Sequence, residues 1–187
     1  MNWKNYSHLR GKHAFLSPSR YHWLNYNGEK LVTTYKNHKR TALGTRYHEV
    51  ASELIQLAVR LPNTQASFNM FVNDAIGFRM SSEVMLYYSP NCYGTADAIS
   101  FDKGYLRIHD LKTGVSPGSI DQLMIYAGLF CLDYEIKPAE LDHIFLRMYQ
   151  SDEVTEYAPT AADVFDVVNR IVESDKILAT IDAEGIL

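Results

Sequence analysis

Asp97, Asp110 and Lys112 combine two carboxylates and one ammonium in the order D-x12-D-x-K, a set whose types and spacing could do chemistry. Asp110 and Lys112 end the run YLRIHDLK, which reads as a buried strand. Side chains alternate along a strand, so Leu106, Ile108, Asp110 and Lys112 share one face, and Arg107, His109 and Leu111 the other. The preceding strand candidate, YGTADAISF, places Asp97 on a face with Ile99 and Phe101, and antiparallel pairing brings it beside Asp110. Two ionised carboxylates in a partly dry site repel unless a cation neutralises them. Oxygen donors suit Mg2+ or Mn2+, and the backbone carbonyl of Leu111 offers a further oxygen. An ammonium beside such an ion is placed to orient water or stabilise charge developing on a phosphoryl oxygen, which is the chemistry of phosphodiester cleavage. The same residues also fit a plain strand-end salt bridge between Asp110 and Lys112, with Asp97 as a turn residue.

The elements that must position these groups come in an informative order. FLSPSRYHWLNY predicts a short helix capped by Ser17, with Pro18 at its first position and Tyr21 and Leu24 on one face. Apolar residues of helical period, Leu43 through Ala58, predict a helix from Thr41 to Leu61, stopped by Pro62. SSEVMLYYS, YGTADAISF and YLRIHDLK follow as three strands, with turns at Pro90-Asn91 and Asp102-Lys103-Gly104, and read as an antiparallel meander. Ser119-x-x-Gln122 has capping-box form and opens a helix through Leu132, after which LDHIFLRMY returns to strand character. A second box, Thr160-x-x-Asp163, starts a last helix with Val164, Phe165, Val168, Ile171 and Val172 on its apolar face and acids on the other, which either docks a partner or, the favoured reading, is a solvated face. The predicted order is α-α-β-β-β-α-β and then α, an α/β fold with a central mixed sheet flanked by helices, in one domain over 1–187.

Charge is unevenly distributed. Residues 1–46 hold nine Lys and Arg against Glu29 alone, a net of +8, so the remaining residues carry −12 of the total −4. A basic front rich in Trp and Tyr resembles a phosphate-tracking surface, although a solvated basic face fits the charge equally. Cys92 and Cys131 stand alone in neither a CxxC pair nor a zinc spacing, which points to a reducing compartment. No stretch approaches the roughly 20 apolar residues of a membrane span, and no apolar leader is present, so a cytoplasmic location is expected.

Four motifs in sequence carry a resemblance. Gly94-x-x-Asp97, Asp110-Leu111-Lys112-Thr113-Gly114, Gln122-x-x-x-Tyr126 and, upstream, Gly44-Thr45-x-x-His48 together resemble the RecB-type branch of the PD-(D/E)XK nuclease superfamily. Leu16-Ser17-x-Ser19 resembles its N-terminal helix, and the likeness runs from about residue 15 to 150. The resemblance implies an αβββαβ core and a metal-dependent nuclease, with Asp97 and Asp110 as metal ligands, Lys112 as the catalytic lysine and His48 as a further ligand. Gln122 and Tyr126, one helical turn apart, would face the site and hold the lysine, a water or a phosphate. Glu83 could accept from a metal-bound water or be a solvent-exposed strand-end glutamate.

CRISPR-associated and helicase–nuclease relatives carry cysteines for an iron–sulfur cluster; this chain has Tyr26-Asn27 near the first such position, so no cluster is expected. No Walker A motif is present. The resemblance implies a stand-alone exonuclease on linear DNA in recombination, repair or phage DNA processing, guided along the backbone by basic residues including Arg20 and Arg46; the alternatives are an endonuclease or RNase of the same fold, or a DNA- or partner-binding module without activity. A homo-oligomer or a recombination or replication protein are the further partners it implies.

Overall fold

The computed structural model describes residues 14–114 and 116–184. They group into two compact units, the first ending at Thr45 and the second beginning at Arg46, one residue from the end of the basic segment. In the first unit Pro18–Asn25 forms two short 3-10 turns merged at Arg20, whose φ of −111° and ψ of 38° are not helical. The expected cap does not form. Ser17 Oγ bonds to Ser19 Oγ at 2.7 Å and leaves the backbone N–H groups to other acceptors. Tyr21 and Leu24 are exposed instead of packing a shared face.

Helix α1 (Gly28–Gln56) begins well before the predicted Thr41, because Asn27 Oδ1 accepts from Lys30 N–H at 2.8 Å and caps a polar stretch that has no apolar period. It ends before Pro62. Ala58 takes a left-handed φ of 54°, and Val59 N–H donates to Leu54 O while Ala58 N–H donates to Ile55 O, a closed C-terminus with alanine where glycine is usual.

The second unit is α/β. Its five-stranded mixed sheet has the order β1 (Ser81–Ser89), β2 (Cys92–Asp102), β3 (Tyr105–Leu111), β4 (His143–Gln150) and β5 (Glu153–Tyr157). The predicted meander β1-β2-β3 is present, β3 and β4 run parallel, and β5 returns antiparallel. Helix α3 (Ile120–Asp133) crosses from β3 to β4 and packs one face of the sheet with α4 (Ala161–Glu184), around Leu106, Ile108, Leu123, Ala127 and Leu146. The end of α1 and helix α2 (Ser67–Gly77) pack the other face, around Ala51, Phe71, Val72, Leu111 and Tyr149.

Helix α2 and strand β5 are additional to the sequence expectation. The first carries a clear stripe of buried Ser67, Phe71, Val72 and Ala75. The second is five residues of mostly exposed edge strand and has little local signal. The Thr160–Asp163 box forms with all its bonds: Thr160 N–H donates to Asp163 Oδ2 at 2.8 Å and Asp163 N–H to Thr160 Oγ1 at 3.2 Å. The Ser119 box does not. Ser119 Oγ accepts from Asp121 N–H at 3.1 Å, while the Gln122 side chain turns away to Lys112. On α4, Val164 and Ile171 are buried as expected, whereas Phe165 faces solvent. Among the described residues no helix is long and apolar enough to cross a membrane.

Candidate metal centre

The centre forms where β2 parts from β3. Their ladder ends at Ala98 opposite His109, and the Asp97 side chain supplies the next rung, its Oδ2 accepting from Leu111 N–H at 2.8 Å. Strict alternation fails here. Ala96 and Ile99 pack in the α3-side core while Ala98 packs in the α2-side core. Asp97 therefore does not line up with Ile99 and Phe101 as expected but turns toward α1, where its Oδ1 lies 3.2 Å from His48 Nδ1. One turn beyond His48, Ser52 Oγ bonds Ser82 Oγ at 2.9 Å and fixes this part of the helix against β1.

Glu83 completes a group of three. The β1–β2 ladder pairs Ser82 with Ala98 and Val84 with Ala96, so Glu83 stands across from Asp97. Its φ of 52° is a left-handed conformation that glutamate rarely adopts, and it interrupts the β1–β2 ladder at this position. The candidate ligand atoms of His48, Glu83 and Asp97 lie within 4.8 Å of one another, so the three could hold a metal ion. Glu83 is exposed, as a strand-end residue should be, yet it belongs to this cluster. The hydrogen bond between His48 and Asp97 raises the His48 pKa against the opposing effect of burial, and burial with the Asp97 charge raises that of Glu83.

Asp110 and Lys112 adjoin this group without joining it. Asp110 is buried, with Lys112 Nζ 3.1 Å from Oδ1 and 2.9 Å from Oδ2. Only the first contact has hydrogen-bond geometry. Oδ2 has the ammonium's charge nearby but no hydrogen-bond donor among the described residues. Burial and then the Asp97 charge raise the Asp110 pKa, and Lys112 opposes them. A buried carboxylate with an unmet lone pair beside a second carboxylate suits a cation.

Helix α3 holds the lysine. Lys112 Nζ donates to Gln122 Oε1 at 2.5 Å, and Gln122 Nε2 reaches Tyr126 Oη at 3.4 Å. Glycines make room for this arrangement. A Cβ on Gly94 would come 3.1 Å from Tyr126 Cε1, and one on Gly118 would meet Met148 Sδ and the Lys112 stem. Leu111 gives its N–H to Asp97 and its side chain to the α2-side core. Arg46 is exposed on α1, two residues before His48, and Arg20 lies in the first unit.

The opposite face of β3 carries a network that sequence reasoning missed. Tyr149 Oη donates to Asp74 Oδ2 at 2.7 Å, so it can only accept from His109 Nδ1, 3.2 Å away, which fixes the proton on Nδ1. Arg147 bridges Asp74 at 3.0 Å and Glu156 at 2.9 Å. Burial, with the charges of Arg147 and Arg107, lowers the His109 pKa to about 3. Comparison of the chain with protein-family models, with curated proteins and with solved structures found no match.

Proposed function

We propose that this chain is a metal-dependent deoxyribonuclease that hydrolyses phosphodiester bonds, acting as an exonuclease on linear DNA. The observation that carries the reading is the meeting of His48, Glu83 and Asp97 beside the buried Asp110–Lys112 pair, which Gln122 steadies from α3. The run α2-β1-β2-β3-α3-β4, with β3 and β4 parallel, supports an αβββαβ nuclease core.

In this reading His48, Glu83 and Asp97 would hold Mg2+ or Mn2+, and Asp110 and the Leu111 carbonyl would offer further oxygens. The ion would offset the crowded carboxylates and polarise a phosphoryl oxygen. Lys112 donates to the oxygen that gains charge, and Asp110 and Gln122 aim its ammonium. Tyr126 fixes Gln122. Arg46, and Arg20 with the other basic residues before it, track phosphates, so binding is non-specific in sequence and weakens steeply with salt.

The test compares wild type with Lys112→Ala on linear and covalently closed circular DNA, with Mn2+ or with EDTA. Wild type is expected to degrade only the linear form, only with metal, and the variant neither. Cleavage that persists in EDTA, or equal cleavage by the variant, refutes the reading. DNA retention with no cleavage by wild type would make the chain a binding module.

A further inference from the structure

Away from the metal centre, α3 and α4 meet and then part. They pack tightly at Gly128, where a Cβ would come 3.1 Å from both Val167 Cγ1 and Ile171 Cδ1. Toward the start of α3 they enclose an open groove of about 530 Å3. Its floor is apolar: Ile120 and Met124 from α3, Val167 and Ile171 from α4, with Cys92 of β2 at one side. Its walls carry Ile125, Leu178 and Tyr157, each more than 40% exposed, so apolar side chains line it up to the solvent edge.

The rim has one dominant sign. Asp121, Asp163, Asp166 and Asp175 border the groove against Arg170 alone, a net of −3. Asp121 and Asp163 bond within their own helix starts, and Asp175 is held in place by Ser89 Oγ at 2.6 Å and Asn91 Nδ2 at 3.2 Å. The acidic side of α4, which sequence alone reads as solvated, is thus the border of an apolar trough. From Asp163 to Leu178 the groove follows α4 for sixteen residues, about 22 Å at 1.5 Å per step. That length is four helical turns, more than a compact metabolite occupies, and an apolar trough between helices takes the apolar face of another helix.

We propose that the α3–α4 groove is a docking site for a basic amphipathic helix of a partner protein, with apolar residues on the buried face and Lys or Arg along both flanks. The opposite charges steer the encounter, and the apolar floor supplies the affinity. A second copy presenting the same groove would bring like charges together. The proposal stands apart from the nuclease reading, because none of its residues lies in the metal centre.

The probe is a fluorescein-labelled fifteen-residue peptide with leucines on one helical face and lysines and arginines on the rest, paired with a version in which glutamates replace the basic residues. Anisotropy with the full chain is expected to show saturable one-to-one binding of the basic peptide and at least tenfold weaker binding of the acidic one. Asp166→Lys and Leu178→Lys, both at solvent-facing positions, are each expected to weaken binding at least tenfold with an unchanged circular dichroism spectrum. Bound peptide is also expected to slow alkylation of the half-buried Cys92 by iodoacetamide at least fivefold. Equal binding by both variants, equal binding of the acidic peptide, or an unprotected Cys92 would overturn the proposal. So would sedimentation of the wild type as a dimer that Leu178→Lys dissolves, which would assign the groove to a second copy.

Discussion

Replacing Lys112 by methionine keeps the stem that passes Gly118 and removes only the ammonium. Asp110 has a side chain 4% exposed and, among the described residues, no other cation in hydrogen-bond contact. Breaking a buried ion pair by deleting one partner costs about 3–5 kcal/mol. Asp110 limits that loss by taking up a proton, since burial and Asp97 already raise its pKa. A loss of about 3 kcal/mol corresponds to a melting temperature lower by roughly 6–12 °C for a unit of this size.

The sign with pH follows from the same proton. The folded variant binds a proton at Asp110 that the unfolded chain has released, so its deficit widens as pH rises above the ordinary carboxylate range, and melts at about pH 5 and about pH 8 compare the two sides. Mn2+ acts in the other direction. At a hundred times its dissociation constant it adds about 2.7 kcal/mol to the folded state, and the gain is expected to be larger in the variant, where no ammonium competes for the carboxylates. Thermal melts with and without Mn2+ at the two pH values measure all of this without any substrate. A variant that melts within a degree of wild type would show that Asp110 and Lys112 are not a buried pair. Absence of any Mn2+ shift in either protein would remove the metal centre.

Two further outcomes test the frame around the site. His109, with a pKa lowered to about 3, stays neutral when folded and gains a proton when unfolded below its ordinary value, so its contribution is full above about pH 6.5 and falls as pH drops. The slope is about 1.4 kcal/mol per pH unit; denaturant titrations between about pH 7 and 5 should show His109→Phe losing less stability than wild type, and parallel slopes would mean the imidazole is not shut in. Gly104, at φ 81° in the β2–β3 turn, would point a Cβ into the Asp142 side chain. Gly104→Ala is expected to cost about 1–3 kcal/mol by calorimetry, with part of the loss recovered in an Asp142→Ala background, and no recovery would place the cost in backbone strain alone.

The contrast between what local sequence encodes and what only assembly creates runs through the site. The β1-β2-β3 meander was legible because each run has strand-forming residues and each turn carries its own chemistry, and that pattern was enough to bring Asp97 close to Asp110. The helical stripe of α1 was legible only where it touches the sheet, since the polar turns before Thr41 are held by a cap at Asn27 and have no apolar period to read. Glu83 is the harder case. A left-handed glutamate inside a strand has no signature in residue type, and its place opposite Asp97 exists only once the two strands pair. The same pairing breaks the alternation at Asp97 and turns its carboxylate from the α3-side core to His48.

The irregularity therefore shapes the cluster. A regular β2 would have kept Asp97 in line with Ile99 and away from α1, and a regular Glu83 would have spent its backbone on the ladder. Giving up those pairings leaves a break in the sheet, which Asp97 Oδ2 partly repairs through Leu111 N–H. What the break gains is a place where an imidazole and two carboxylates can converge, at the end of the strand that delivers Asp110 and Lys112.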